Sequence, residues 1–206
     1  MYGRVKSRVI EYLILANAFM FIVRLAAEDW VMEYLALTPA YVMKMPWMLI
    51  TNMFLHADFE HILFNMFAVL MFGTYLQRII GGEEFTKTYF IGGLAAGLFY
   101  VFMSLAFHLP SPMISAVGAS GAVYAIIGAL VVLRPNMRIY LYFLFPMPLY
   151  VFAGLYLLYG LVAIPTNLGG TTAVTAHVGG LIAGIIMGRM YRRKYQEQAY
   201  TYVRYY

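Results

Sequence analysis

The chain has 206 residues, is 63% hydrophobic and 11% charged, and has a mean hydropathy of +0.75. That is roughly half the charge of a water-soluble domain, which excludes a soluble globular fold and leaves an all-α polytopic membrane protein, one compact membrane domain over 1–206. The chain has no cysteine, which excludes disulfides, thiolate nucleophiles and thiolate metal sites. The net charge of +5 flanks apolar segments and forms no basic stripe, so the bilayer is the expected partner and nucleic acid is not.

A membrane-spanning helix needs about 20 mostly apolar residues. Six stretches qualify, about 9–27, 61–80, 88–108, 115–133, 148–164 and 173–191. The first, with Glu11 and Arg24, is too long for a cleavable signal and lacks a small-residue cleavage site. A long outer loop, 28–60, carries Glu28, Asp29, Glu33, Asp58, Glu60, Trp30 and Trp47, and is expected to be folded and partly embedded. Before the fifth span, the aromatic run from Arg138 to Pro148 reads as interfacial, with the helix beginning near Pro148. That span and the Pro165–Gly170 loop after it suggest a gate. The chain shows no internal repeat, and its only tail is the tyrosine-rich C-terminus.

Lys and Arg fall mostly on one side: Arg4, Lys6 and Arg8; Arg78 and Lys87; Arg134 and Arg138; and Arg189, Arg192, Arg193, Lys194 and Arg204. Only Arg24 and Lys44 lie opposite. The positive-inside rule predicts cytoplasmic N- and C-termini, consistent with an even number of spans. With no evident organelle-targeting segment, the expected location is a cell membrane of prokaryotic type.

Helices two, four and six then all enter from the outer surface. His61 and Asn65 fall in the first turns of helix two, Ser120 near the start of helix four and His177 near that of helix six, each within roughly 10 Å of the outer end. Polar groups at one depth in a membrane mark a function or a wet cavity. In "VGASGAVYAIIGAL", 117–130, Ser120 stands between Gly118 and Gly121. It reads either as a small residue at a helix contact or as a nucleophile whose own amide helps to form an oxyanion site. His177 precedes Gly180, Gly184 and Gly188, a smooth face for close packing. It reads either as a carbonyl-bonded histidine or as the general base for Ser120. Tyr124, one turn below Ser120, either packs generally or stacks on the imidazole.

His61 and Asn65 share one helix face, and both can donate to a developing negative charge. Zinc is disfavoured: His56 and His61 are five apart and asparagine is a weak ligand, so neither a metal nor any other cofactor is expected. His56 reads as a loop brace and His108 as structural. Glu11 and Gln77 fall near the other surface, so any nucleophile–base pair is a dyad.

Three blocks, "HADFEHILFN" at 56–65, "GASGAVYAIIG" at 118–128 and "AHVGGLIAG" at 176–184, resemble in order and spacing the rhomboid family of intramembrane serine proteases in its minimal six-helix form. The resemblance implies a serine endopeptidase that cuts transmembrane segments with helix-weakening residues near the outer face. It implies Ser120 as nucleophile and His177 as base, with His61, Asn65 and the Ser120 amide stabilising the oxyanion. Tyr124 matches the stacking tyrosine, Gly118 the Gly-x-Ser-Gly glycine and His56 the loop histidine. Two positions depart: Trp47-Met48 where family members often have Trp-Arg, and Gln77 where many have glutamate; both read as structural. The alternatives are a catalytically inactive rhomboid-like protein that binds membrane proteins, and a small transporter. Retention of both Ser120 and His177 argues against the first, and the absence of inverted repeats against the second.

Overall fold

The computed structural model describes residues 7–141, 144–166 and 171–205. It is an all-α bundle with one small hairpin. Helix α1 is Val9–Ala26 and α2 Glu28–Leu35; after a short α3, Met48–Thr51, comes α4, Phe59–Ile80, with a π-helical turn at Val69–Gly73. Helix α5 is Gly82–Phe107 and α6 Ser120–Leu133. Strands β1, Arg138–Leu141, and β2, Phe145–Pro148, pair antiparallel before α7, Leu149–Thr166, and α8, Thr171–Tyr205. Among the described residues five helices are long and apolar enough to cross a membrane, and α6 is a shorter apolar helix.

The observed helices differ from the sequence expectation in four places. Helix α5 begins at Gly82, not near 88, because its first-turn charges are paired: Glu83 with Lys87 at 2.8 Å and Glu84 with Lys194 of α8 at 2.7 Å. Helix α8 runs on well past 191, carrying Lys194 to that pair. The aromatic run before α7 is a hairpin, Arg138 opposite Pro148 and Leu141 opposite Phe145. Helix α6 begins at Ser120, not at 115, because the chain ahead of it is extended. Leu37 and Ala116 exchange backbone bonds of 2.9 and 3.0 Å, and Gly118 turns the chain at φ 129°. Of the expected gate loop, 167–170 lie outside the described residues.

The short α6 is the centre of the fold. Its 14 residues rise roughly 21 Å, against about 30 Å of hydrocarbon, so its first residue can lie below the membrane surface. From Gly121 to Leu130, all but Tyr124 are buried. Helix α8 lies against it backbone to backbone: a Cβ at Gly180 would meet the Gly121 carbonyl, one at Gly184 the Ala125 carbonyl, and one at Gly188 Ala129 at 2.9 Å. Across the contact, a Cβ at Gly128 would meet the Leu181 carbonyl, and one at Gly121 would lie 2.6 Å from Ala96 of α5. Glycines on both helices thus permit the close approach that drives packing without a water-exclusion term.

The loop between α1 and α4 is folded. Trp47 Nε1 donates to the Tyr34 carbonyl at 2.8 Å and the Thr51 hydroxyl to that of Leu35 at 2.7 Å. Met48 is fully buried with Leu37, Val42 and Tyr100, so an apolar side chain fills its place in the loop. Gln77 Nε2 donates to the Ser7 carbonyl at 3.0 Å, a structural tie between α4 and the start of α1.

Replacing Gly184 with leucine forces α6 and α8 apart and is expected to lower stability by about 3 kcal/mol or more. Gly154→Ala in α7, where an added Cβ meets nothing within 4 Å, is expected to be neutral or to stabilise by up to about 1 kcal/mol. Thermal unfolding of the two variants in detergent separates these outcomes.

Candidate active site

The expected polar residues converge. A cavity of about 450 Å³ is lined by His61, Asn65, Gly118, Ser120 and His177, together with Asn52, Tyr100, Ser115 and apolar residues. Helix α4 supplies the first two, the extended approach and first residue of α6 the next two, and α8 the last.

Each wall follows from local chemistry. Asp58 caps α4, its carboxylate accepting from the His61 amide at 2.7 Å, which starts the helix where His61 can face inward. The Ala57 amide donates to His61 Nδ1 at 3.3 Å, so the neutral ring carries its proton on Nε2. Gly118 is required twice over: its φ of 129° suits only glycine, and a Cβ there would lie 2.9 Å from His61 Nε2 and 3.4 Å from Ser120 Oγ. The Ser120 hydroxyl and the His61 N–H therefore flank a single point. As the first residue of α6, Ser120 also brings helix-end amides without intrahelical acceptors. Asn65 Nδ2 donates to the His61 carbonyl at 2.8 Å, leaving its second N–H.

His177 is held by aromatic rings. Tyr124 stacks on it, centroids 4.2 Å apart and planes 13° from parallel. Its Nδ1 is 2.7 Å from the Tyr156 hydroxyl of α7, while Nε2 is buried and makes no hydrogen bond. Ser120 and His177 thus share the cavity without a bond closed between them. Tyr156 escaped the sequence reading: "LYLLYG" at 155–160 shows only tyrosines in an apolar helix, and contact with α8 depends on how α7 packs.

His56 is fully buried beside His61, ring centroids 5.0 Å apart, and its Nε2 accepts a 3.5 Å bond from the Ala119 amide next to Ser120. That bond ties the loop before α4 to the start of α6. His108 caps α5 in the left-handed region at φ 56°. A second cavity, about 720 Å³, opens between α4, α7 and the hairpin, lined by Phe64, Phe67, Tyr75, Arg138 and Phe152.

Comparison with known proteins now gives the family. The model of the Rhomboid domain matches residues 43–194. The chain belongs to the Rhomboid family. It is 30% identical over 160 residues to RHOMBOID-like protein 12, mitochondrial, of Arabidopsis thaliana, covering 72% of this chain and 47% of that protein. It is 31% identical over 150 residues to Rhomboid protein 1, mitochondrial, of Saccharomyces cerevisiae, covering 68% and 40%. With the rhomboid protease GluP of Bacillus subtilis it shares 35% over 144 residues, 67% of this chain and 24% of that protein. The chain thus spans less than half the length of each of these rhomboid relatives. The mitochondrial relatives overturn the expected cell-membrane location. The reason is physical: the positive-inside pattern orients a chain across a bilayer and carries no information about which bilayer.

Gly118→Ala strains the backbone and presses on His61 and Ser120, and is expected to destabilise by about 1–3 kcal/mol in thermal unfolding. Burial, then His61, push His56 down from 6.5 to about 3. The unfolded chain therefore takes up a proton near pH 6.5 that the folded chain refuses until about pH 3. Stability is full above pH 6.5 and falls with pH below it, by up to about 1.4 kcal/mol per unit for one proton. A melting curve of His56→Asn should depend less on pH between 7 and 4.5 than that of the wild type.

Proposed function

We propose that this rhomboid is an intramembrane serine endopeptidase, cutting transmembrane segments near the face at which α6 begins. The observation that carries the reading is the single cavity onto which α4, α6 and α8 bring His61, Asn65, Ser120 and His177. The protease named among its relatives supports it, and the mitochondrial relatives support an organellar membrane.

In the proposed cycle Ser120 Oγ gives its proton to His177 Nε2 and attacks the scissile carbonyl carbon. The oxyanion accepts from His61 Nε2–H, the Ser120 amide and the second Asn65 N–H. On collapse the C–N bond breaks and His177 returns its proton to the leaving amine. Water, deprotonated by the same imidazole, then releases the acyl group and restores the Ser120 hydroxyl. The open Ser120–His177 separation closes as substrate enters, a common tightening of catalytic hydrogen bonds.

A peptide bond inside a helix is shielded by its own hydrogen bonds, so the substrates are single-span proteins whose helices are weakened by glycine or proline near the cut. The apolar groove between α4 and α7 suits lateral entry from lipid.

With a reconstituted transmembrane substrate, Ser120→Ala is expected to lower the cleavage rate by about 10³-fold or more, and a fluorophosphonate probe to label the wild type but not Ser120→Ala or His177→Ala. Cleavage by Ser120→Ala at the wild-type rate removes the proposal. A wild type that neither labels nor cuts returns the chain to the inactive, membrane-protein-binding reading.

A further inference from the structure

We propose that Tyr156 is the positioning residue for His177. Its phenolic oxygen accepts the imidazole Nδ1–H and so fixes the tautomer whose Nε2 lone pair faces the cavity. The inference rests on the dyad reading, and gives His177 the orienting partner that the sequence did not reveal.

The 2.7 Å contact between the Tyr156 hydroxyl and His177 Nδ1 allows two arrangements. If the phenol donates, the ring proton is forced onto Nε2; if it accepts, Nε2 is bare. The surroundings of Nε2 decide. That atom is buried without a hydrogen-bond partner, and a buried orphan N–H is rarer and costlier than an under-used acceptor. Besides the amide oxygens of Asn52 and Asn65 and the hydroxyls of Ser115 and Ser120, the cavity that His177 lines holds several donors: His61 Nε2–H, the second Asn65 N–H and the amides at the start of α6. The positive end of the α6 dipole adds to these donors and favours a lone pair over an N–H. The proton therefore sits on Nδ1, with Tyr156 as its acceptor.

Tyr156 is built to stay in place. Its ring lies against Tyr124, centroids 4.5 Å apart, and stacks on Phe152 at 6.1 Å. Tyr124 itself lies flat on the imidazole, so the three rings brace one another. One turn on, Gly160 lets α7 close onto α8: a Cβ there would lie 2.6 Å from Val178, the neighbour of His177. Among the described residues no carboxylate bonds His177, so the phenol takes the part that a carboxylate plays where a base has a third partner. No proton leaves Nδ1 during the cycle; the hydroxyl proton of Ser120 arrives at Nε2, and the phenolic oxygen holds the cationic ring through the existing bond.

The test is nitrogen NMR of the full chain labelled with ¹⁵N-histidine, in bicelles at neutral pH. The chain has four histidines, and His177→Gln identifies the His177 signals by their loss. In the wild type the His177 shifts should report a proton on Nδ1 and a bare Nε2. Tyr156→Phe, which keeps the ring and removes the oxygen, should move part or most of that population to the Nε2–H form. It should lower kcat about tenfold or more with KM within about twofold. An Nε2–H wild type overturns the inference, as does a Tyr156→Phe protein with an unchanged tautomer, whatever its rate. The tautomer is read without turnover, so failure of the protease reading, seen as no cleavage or labelling by the wild type, is distinguishable from failure of this one.

Discussion

The arrangement depends on the near-contact of two backbones. In a bilayer, lipid tails are as apolar as leucine, so two helices gain from meeting only through close packing or polar bonds. Helices α6 and α8 come together where Gly180, Gly184 and Gly188 face Gly121, Ala125 and Ala129. That contact places the first turn of α6, with Ser120, beside the second turn of α8, with His177. The inability of any side chain to intervene brings an alcohol and an imidazole onto one cavity.

The second constraint is the length of α6. A helix shorter than the bilayer, preceded by extended chain paired to the loop between α1 and α4, can hold its N-terminus below the surface. Amides that would be hydrated at an ordinary helix end are instead presented to a half-enclosed cavity, where a developing negative charge gains more from them. Gly118 makes the transition possible, since its backbone conformation and the space beside it both exclude a side chain.

Much of this was legible in the chain itself. Hydropathy locates the spans, charge bias gives a consistent orientation, and rise per residue places Ser120, His61, Asn65 and His177 at one depth. The gathering of those four on one cavity follows from packing rules that glycine spacing reveals. Where α5 begins was less legible, because Glu83, Glu84 and Lys87 look like a loop until the Glu83–Lys87 pair within α5 and the Glu84–Lys194 pair to α8 are seen. The hairpin before α7 was hidden because aromatic residues suit an interface and a strand equally. Tyr156 was hidden because its contact depends on the roll of α7 against α8, and nothing in local sequence encodes that rotation. The identity of the membrane was not legible from charge bias at all.

Helix α1 contributes little to the core: Ile10, Leu13 and Asn17 are buried, while Tyr12, Leu15, Phe19, Ile22 and Leu25 are exposed. Yet its Arg24 donates to the Ala57 carbonyl at 2.6 Å, while the amide of the same residue holds His61 Nδ1. One alanine is thus clasped on both sides, by a guanidinium and by a ring. The first helix serves as a tether more than as a wall. Through a single residue, a segment that lies outside the matched Rhomboid domain helps to keep the imidazole proton of His61 turned toward the serine.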